Sequence, residues 1–174
     1  GLLSRVAYIQ CVLEMENQCL AEGIEPGHLV VGSGGTSLTG LVAGFTMLGR
    51  SLHFLGTPQS KMGQTDGVSE RIAQSAAEAA AHIGLKCAAD PAQIAVTDAY
   101  VGPGFGYPDP PTLNAIRLLA GTEGILVDPT YSGKAFACLV DQLQKGHFAG
   151  SEDIIFVHTG GTPLLFAYGE ELLA

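Results

Sequence analysis

The chain has 174 residues, 47% of them hydrophobic and 14% charged, which suits one globular domain with a sizeable core and excludes a disordered protein. Its formal charge is −9, and its 8 basic residues form no stripe, so nucleic-acid binding is not expected. No apolar run is long enough to span a membrane, and the first residues lack a signal-peptide layout, so we expect a cytoplasmic protein. The four cysteines form no CxxC pair, and we expect no metal site.

Taken in chain order, short apolar segments alternate with segments of helical periodicity. The pattern predicts helices at 6–19, 37–48, 66–84, 112–120, 133–145 and 164–172, and strands at 28–31, 52–55, 94–97, 125–127 and 154–157. Gly84 is the expected C-terminal stop of the third helix. The alternation predicts a parallel, doubly wound α/β sheet with helices on both faces, and 1–174 as a single unit.

Loops rich in glycine and proline follow several of the predicted strands. They are GSGGTS at 32–37, VGPGFGYPDPP at 101–111, DPTYSGK at 128–134 and HTGGTP at 158–163. Because such sheets bind ligands beyond the carboxyl ends of their strands, the loops together predict a ligand site at one edge. The alternative is that glycine and proline only turn the chain at these places.

The first of these loops has the features of a phosphate-binding turn. It joins a predicted strand to a predicted helix, so backbone N–H groups and the positive end of the helix dipole point at one place. Glycine lets a phosphate approach the backbone, and Ser33 and Thr36 can donate further hydrogen bonds. No lysine follows as in a P-loop, and Ser37 stands where a dinucleotide loop has its third glycine, so we expect a phosphorylated small cofactor.

Two later loops carry hydroxyl groups at predicted strand ends. Thr159 is a candidate to face a ring nitrogen of a ligand, with helix capping by Thr159 or Thr162 as the alternative. Tyr131 is a candidate acid, base or orienting group, with a half-buried tyrosine of satisfied hydroxyl as the alternative. Lys134 is interpreted as a packed or paired surface lysine.

The motifs GSGGT, GPGFGYPD, TEGILVDPTYSGKA and FVHTGGTPLLFAY, in that order, resemble the pyridoxal-phosphate enzymes of fold type II, which share the tryptophan-synthase-β fold. Within them the chain is similar to D-cysteine desulfhydrase and 1-aminocyclopropane-1-carboxylate deaminase, over essentially its whole length. AYIQCVLEMENQ is also similar to a helix that precedes their phosphate-binding strand. The resemblance implies pyridoxal 5′-phosphate as cofactor. It also implies the C-terminal half of such an enzyme: most of the larger cofactor-binding domain, with 1–22 as a helix of that domain or of the smaller one.

The resemblance implies roles for individual residues. Tyr131 matches the tyrosine that faces the substrate. Ser132 falls where the deaminase has a glutamate, and the desulfhydrase a threonine, at the pyridine nitrogen. Thr159 matches a desulfhydrase threonine near that nitrogen. The residues that match the phosphate-binding loop are Ser33, Gly34, Gly35 and Thr36.

Two departures concern the substrate and the covalent link to the cofactor. Both subfamilies have an active-site tyrosine where this chain has Phe105, and Tyr107 lies two residues on, so both belong to the expected substrate pocket. The lysine that binds the cofactor covalently lies in an N-terminal half that these 174 residues do not contain. The lysines of this chain do not match it by context: Lys61, Lys86, Lys134 and Lys145.

For the whole enzyme, the resemblance implies a lyase that acts on D-cysteine by α,β-elimination and releases pyruvate, ammonia and sulfide. A hydroxyl at the pyridine nitrogen makes a weaker electron sink than a carboxylate would, which suits loss of a thiol better than opening of a cyclopropane ring. The alternatives are 1-aminocyclopropane-1-carboxylate deaminase, cysteate sulfo-lyase, and a non-catalytic phosphate- or partner-binding remnant. The isolated chain is expected to be inactive, and its expected state is a homodimer or a pairing with the missing half.

Overall fold

The computed structural model of the protein describes residues 1–63, 66–148 and 153–173. Two 3₁₀ helices, Pro91–Gln93 and Thr162–Tyr168, accompany the longer elements. No helix in these ranges is both long and apolar enough to cross a membrane. In chain order the helices and strands are α1 (Leu2–Glu22), β1 (Pro26–Val31), α2 (Thr36–Met47), β2 (His53–Gly56), α3 (Val68–His82), β3 (Ile94–Val96), α4 (Pro110–Glu123), α5 (Ser132–Gln144), β4 (Asp153–Val157) and α6 (Gly169–Leu173).

The four strands form one parallel sheet in the order β3-β2-β1-β4. Leu29 of β1 lies opposite Phe54 of β2 on one side and Ile155 of β4 on the other. Since successive side chains of a strand point to opposite faces, the apolar runs of these strands serve two cores. The parallel α/β sheet predicted from the sequence is confirmed.

The first face of the sheet is covered by α1, α2 and α3. Their shared core contains Val12 of α1, Phe45 of α2 and Ile72 of α3, together with Leu29 and Phe54 from the sheet. Glycines let α1 and α2 approach closely, because a Cβ added to Gly44 would lie 2.7 Å from the Val12 Cβ. The helix over 1–22 is therefore packed into the same core as the strand that follows it.

The second face of the sheet is covered by α4 and α5. Phe136 of α5 meets Phe156 of β4 edge to face, with ring centroids 5.3 Å apart. Both rings pack against a small buried cluster of Ile116, Leu119 and Val127. Helices on both faces confirm the doubly wound arrangement.

The predicted strand at 125–127 is wrong. These residues pair with no strand in the described part of the chain, and Ile125 and Leu126 are about half exposed. The carbonyl oxygen of Leu126 accepts hydrogen bonds from the side chains of His158, at 3.1 Å, and Thr162, at 3.3 Å. Side chains of the segment after β4 thus take the place of a neighbouring strand.

The predicted helix at 164–172 is only partly right. Its first part is the 3₁₀ helix Thr162–Tyr168, and a regular α-helix begins only at Gly169. The segment opens with the Leu164 N–H bonded to the Gly161 oxygen, which is the i→i+3 spacing of the tighter helix. By contrast, Gly84 does follow the end of α3, with φ +75°, as predicted.

The strand order places a switch point between β1 and β4. From β1 the chain builds β2 and then β3 to one side, and later adds β4 on the other side. Connections from neighbouring strands diverge at such a point and leave a crevice beyond the carboxyl ends. The loops after β1 and β4 both open into it.

Candidate active site at the carboxyl ends of β1 and β4

A cavity of ≈ 330 Å³ lies in this crevice. Its size falls in the range of small-ligand sites, and hydroxyl and backbone groups dominate its wall. Three of the predicted site residues line it: Ser33, Tyr131 and Thr159. The other lining residues are Tyr8, Gly32, Ser37, Gln59, Gly160 and Gly161.

The glycine loop after β1 presents unopposed backbone donors at the start of α2. Gly35 is the N-cap and supplies no side-chain acceptor, and the first turn of α2 carries no acidic residue. The Ser33 hydroxyl accepts a bond from the Gly35 N–H at 3.2 Å, which holds the loop in a compact turn. A Cβ on Gly34 would lie 3.0 Å from the Pro58 Cβ, so a larger residue would fit only if its neighbour moved by a few tenths of an ångström.

Of the four residues predicted to bind the phosphate, only Ser33 lines the cavity directly. Gly34 and Gly35 form the turn behind it, and Thr36 begins α2. Ser37, one residue further on, lines the cavity and adds a hydroxyl that the prediction omitted. Backbone amides and hydroxyls around a helix N-terminus are a suitable environment for a phosphate dianion.

The turn before α5 is organised by the buried carboxylate of Asp128, which is 0% exposed. Its two oxygens accept the Tyr131 N–H at 3.0 and 2.8 Å, and Oδ1 also accepts the Ser132 N–H at 3.0 Å. These bonds satisfy amides at the helix start, as a capping side chain does. They fix the backbone from which the Tyr131 side chain reaches the cavity.

Ser132 is buried beneath the cavity rather than on its wall. Its hydroxyl lies 3.2 Å from Asp128 Oδ1 and 3.2 Å from the carbonyl oxygen of Gly160. A Cβ added to Gly161 would lie only 2.6 Å from the Asp128 carboxyl carbon. The turn before α5 and the loop after β4 therefore interlock, and of the two residues predicted to lie near the pyridine nitrogen, Thr159 lines the cavity whereas Ser132 does not.

The two residues predicted for the substrate pocket lie outside the cavity wall. Phe105 is 56% exposed, but its ring stands edge-on to the Tyr131 ring, with centroids 5.7 Å apart. Tyr107 is 67% exposed, and its N–H is bonded to the Gly104 oxygen. Phe105 thus contacts a cavity-lining residue, whereas the structure does not bring Tyr107 to the cavity.

The interpretation of Lys134 as a surface residue is wrong. Its side chain is 1% exposed, and its ammonium donates to the carbonyl oxygens of Val101, at 2.5 Å, and Gly104, at 2.6 Å. Burial lowers the pKa of this amine, and the negative charges of Asp109 and Asp128 oppose that shift. The helical periodicity of α5 alone does not reveal this environment.

Besides Ser37, sequence reasoning missed three residues of the site. Gln59 lines the cavity and donates to the Gly32 oxygen at 2.5 Å, although 27 positions separate the two. Tyr8 reaches the cavity from α1, where its only signal was its place on a helix. Asp128 opens the predicted loop DPTYSGK without a role of its own, and its buried carboxylate is a consequence of the fold.

A larger cavity of ≈ 600 Å³ lies at the opposite, amino ends of the strands. Its polar side chains include Glu25, Asp153 and Arg50, and the Arg50 guanidinium is already paired with Glu16 at 3.2 Å. No glycine loop or helix N-terminus of the kind found after β1 opens into it in the described ranges. Size alone therefore does not identify the site, and the chemistry favours the smaller cavity.

Comparison with known proteins agrees with the geometry. The family described as "Pyridoxal-phosphate dependent enzyme" matches residues 4–160. D-cysteine desulfhydrases of Yersinia pestis and Salmonella paratyphi C are 37% and 35% identical over 168 and 170 residues. A crystal structure of an ACC deaminase homologue superposes with a TM-score of 0.82 at 29% identity. A fungal L-serine ammonia-lyase from Rhizomucor miehei, with a TM-score of 0.57 at 16% identity, shares the fold.

The chain spans about half the length of the relatives it matches. The two desulfhydrase matches cover 95% of this chain but 49% of each relative. The ACC deaminase homologue match covers 99% of this chain and 50% of the other. The similarity therefore concerns one half of these proteins.

Proposed function

Because the chain belongs to the pyridoxal-phosphate dependent enzyme family, we propose that it is the cofactor-phosphate half of a lyase that acts on D-cysteine. The observation that carries the proposal is the cavity at the switch point, which Ser33 of the glycine loop lines together with Tyr131 and Thr159. The 35–37% identity to D-cysteine desulfhydrases supports the choice of substrate. The expected products are pyruvate, ammonia and sulfide.

The residues of the cavity fit the cofactor. The first backbone N–H groups of α2 are not bound by a capping side chain, and Ser33 and Ser37 add hydroxyls. One wall of the cavity therefore provides hydrogen-bond donors for a phosphate dianion. Ser33, Gly34, Gly35 and Thr36 would hold the phosphate. Pyridoxal phosphate, when bound, withdraws electrons from the α-carbon of an amino acid.

The other wall supplies polar groups for the ring and the substrate. Thr159 is exposed in the cavity, and its hydroxyl would serve the pyridine nitrogen, with Ser132 behind it on the Asp128 carboxylate. Tyr131 would face the substrate, oriented by the bonds from its backbone N–H to Asp128. A neutral hydroxyl at the nitrogen favours loss of a thiol over ring opening, which supports the desulfhydrase over the deaminase.

The lysine that links the cofactor covalently would come from the other half of the protein. No lysine lines the cavity in the described part of this chain. Lys134 is buried against carbonyl oxygens, and Lys61 and Lys145 bind Asp98 and Asp141. The share of each relative that this chain leaves unmatched is the natural source of that residue.

The surface also supports such a pairing. Strand β4 is an edge of the sheet in the described ranges, and unpaired edges usually require cover. Nearby apolar side chains are exposed to solvent: Ile125 by 47%, Leu126 by 51% and Phe166 by 92%. We propose that the other half covers this face in a cytoplasmic enzyme, with a homodimer as the expected assembly.

The test is expression of these residues together with the lysine-bearing half. With pyridoxal phosphate added, we expect visible absorbance of the bound cofactor and release of sulfide and pyruvate from D-cysteine. Tyr131→Phe should lower the turnover about 100-fold without loss of the cofactor absorbance. Tyr107→Phe is the matched control and should retain activity.

The outcomes separate the alternatives. If the cofactor absorbance appears but only 1-aminocyclopropane-1-carboxylate or cysteate is turned over, the proposed substrate is wrong and the pyridoxal-phosphate chemistry stands. Absence of cofactor absorbance in the paired protein would refute the proposal as a whole. The second candidate is a non-catalytic phosphate- or partner-binding remnant, because no lysine lines the cavity in the part of the chain that the structure describes. Absence of cofactor absorbance in the paired protein would favour this second candidate.

A further inference from the structure

Lys134 is a charged side chain that the fold buries without a direct ion pair to any described residue. It lies in the first turn of α5 and is 1% exposed, and its two hydrogen bonds go to backbone carbonyl oxygens. Burial of an ammonium is unfavourable unless its donors are satisfied, so this arrangement needs a compensating role. The two acceptors, Val101 and Gly104, belong to the segment 101–107.

That segment consists of turns, and one internal hydrogen bond joins the Tyr107 N–H to the Gly104 oxygen. Gly102, Gly104 and Gly106 all have positive φ values, of 64°, 150° and 77°, in a region that other residues rarely adopt. A chain so rich in glycine gains no fixed shape from local preference. Besides that backbone bond, side chains from outside the segment hold it in place: the Lys134 ammonium binds two of its carbonyls, and the Tyr168 hydroxyl donates to the Gly106 oxygen, 2.6 Å away.

The segment carries one aromatic ring to the site. Phe105 stands next to Gly104, whose carbonyl oxygen is held by Lys134, and its ring meets the Tyr131 ring edge-on at 5.7 Å. Tyr131 and Lys134 lie within one turn of each other at the start of α5. The lysine therefore couples the backbone beside Phe105 to the element that holds Tyr131.

We infer that Lys134 is a positioning residue: by holding the carbonyls of Val101 and Gly104, it places the Phe105 ring against Tyr131 and so shapes the substrate side of the cavity. It does not line the cavity itself and is not a catalytic residue. The inference rests on the proposed function only for its effect on the substrate. The effect on the segment 101–107 follows from the contacts alone.

Limited proteolysis with chymotrypsin measures the first effect. The Phe105–Gly106 bond is cleavable, whereas Tyr107 precedes Pro108 and resists cleavage. Phe166, 92% exposed, provides a reference bond outside the segment. In Lys134→Met, we expect the ratio of cleavage at Phe105 to cleavage at Phe166 to rise about tenfold, since two hydrogen bonds that close the segment are lost.

Comparison variants keep this result interpretable. Lys134→Arg retains a charged donor and should restore part of the protection, and Tyr168→Phe, which removes the other tether, should raise the ratio less. If Lys134→Met does not yield folded protein, Lys134→Gln, which keeps a donor, replaces it in the same measurement. An unchanged ratio, or equal acceleration at both bonds, overturns the positioning role.

Kinetics of the paired, cofactor-loaded enzyme measure the second effect. Lys134→Met should raise KM for the amino acid about tenfold, while affinity for pyridoxal phosphate changes less than about twofold. Phe105→Ala should reproduce the rise in KM. A fall in kcat with unchanged KM would contradict the inference. If the wild-type enzyme shows no elimination, the proposed function fails, and the cleavage ratio still decides the role of Lys134.

Discussion

Replacement of Asp128 by alanine should destabilise the protein more than any other single loss of a polar group at the site. The carboxylate is fully buried and accepts the backbone N–H groups of Tyr131 and Ser132, at 2.8–3.0 Å. A hydrogen bond to a charged acceptor contributes about 1.5–3 kcal/mol, so two such bonds amount to about 3–6 kcal/mol. Removal of a buried charge offsets part of this, and we expect a net loss of about 3 kcal/mol.

Urea denaturation measures this loss directly. Asp128→Asn keeps one acceptor oxygen and should lose about 2 kcal/mol. Asp90→Ala is the matched control, because Asp90 also accepts a backbone N–H, that of Ala92 at 2.9 Å, but is exposed and lies far along the chain from the site. It should lose about 0.5–1 kcal/mol, typical of an exposed cap.

Binding of pyridoxal phosphate gives a second readout of the same change. Loss of the Asp128 bonds frees the Tyr131 turn and the Gly161 loop that packs on the carboxylate, so affinity should fall. Asp90→Ala should leave affinity unchanged. The reasoning is refuted if Asp128→Ala is destabilised no more than Asp90→Ala, or if both variants bind the cofactor equally well.

Four further expectations concern packing and ionisation. Gly44→Ala should destabilise by about 1–3 kcal/mol in thermal or urea unfolding, because the new Cβ would lie 2.7 Å from Val12. Gly121→Ala in α4, where the Cβ meets open space, should instead stabilise by about 0.5–1 kcal/mol. Burial and a hydrogen bond to a carboxylate raise the pKa of Tyr100 to about 12. The stability that this tyrosine contributes is therefore complete below the usual tyrosine pKa and is lost as the pH rises towards about 12. Tyr100→Phe should remove this part of the pH dependence of the free energy of unfolding, measured at alkaline pH. Burial raises the pKa of Cys138 to about 12, so this thiol should react more slowly with alkylating reagents than the other cysteines under native conditions. Mass spectrometry that finds Cys138 labelled before the other cysteines would contradict its burial.

The comparison of Gly44 with Gly121 shows why a sequence alone does not reveal which glycines tolerate replacement by alanine. Gly44 lies inside a predicted helix and Gly121 directly after one, and both lie inside helices of the structure, where local propensity favours alanine. Only the approach of α1 to α2 makes Gly44 intolerant of a side chain. The same distinction separates what could be predicted at the site from what could not.

Local patterns predicted most of the helices and strands and the glycine turn that opens α2. The alternation of short apolar strands with helices predicted a parallel sheet, and the structure confirms it. The glycines at 32–35 predicted a turn into a helix N-terminus, since such a turn needs bare backbone wherever it occurs. Each of these patterns involves residues close together in the sequence, so it can be recognised without knowledge of the fold.

Tertiary structure decided the rest through contacts between distant residues. The segment 125–127 has the composition of a strand, but side chains from the loop after β4 bind its carbonyl, so it joins no sheet. Gln59 lines the cavity and donates to the Gly32 oxygen, 27 positions earlier in the chain. Lys134, predicted to lie at the surface, is buried and binds a carbonyl oxygen of the loop that carries Phe105. The sequence by itself determined where backbone groups could bind a phosphate, because that depends on local geometry. Only the packing of α1, α5 and the loops after β2, β3 and β4 against one another decided which side chains surround the site, because burial and pairing are properties of the whole fold.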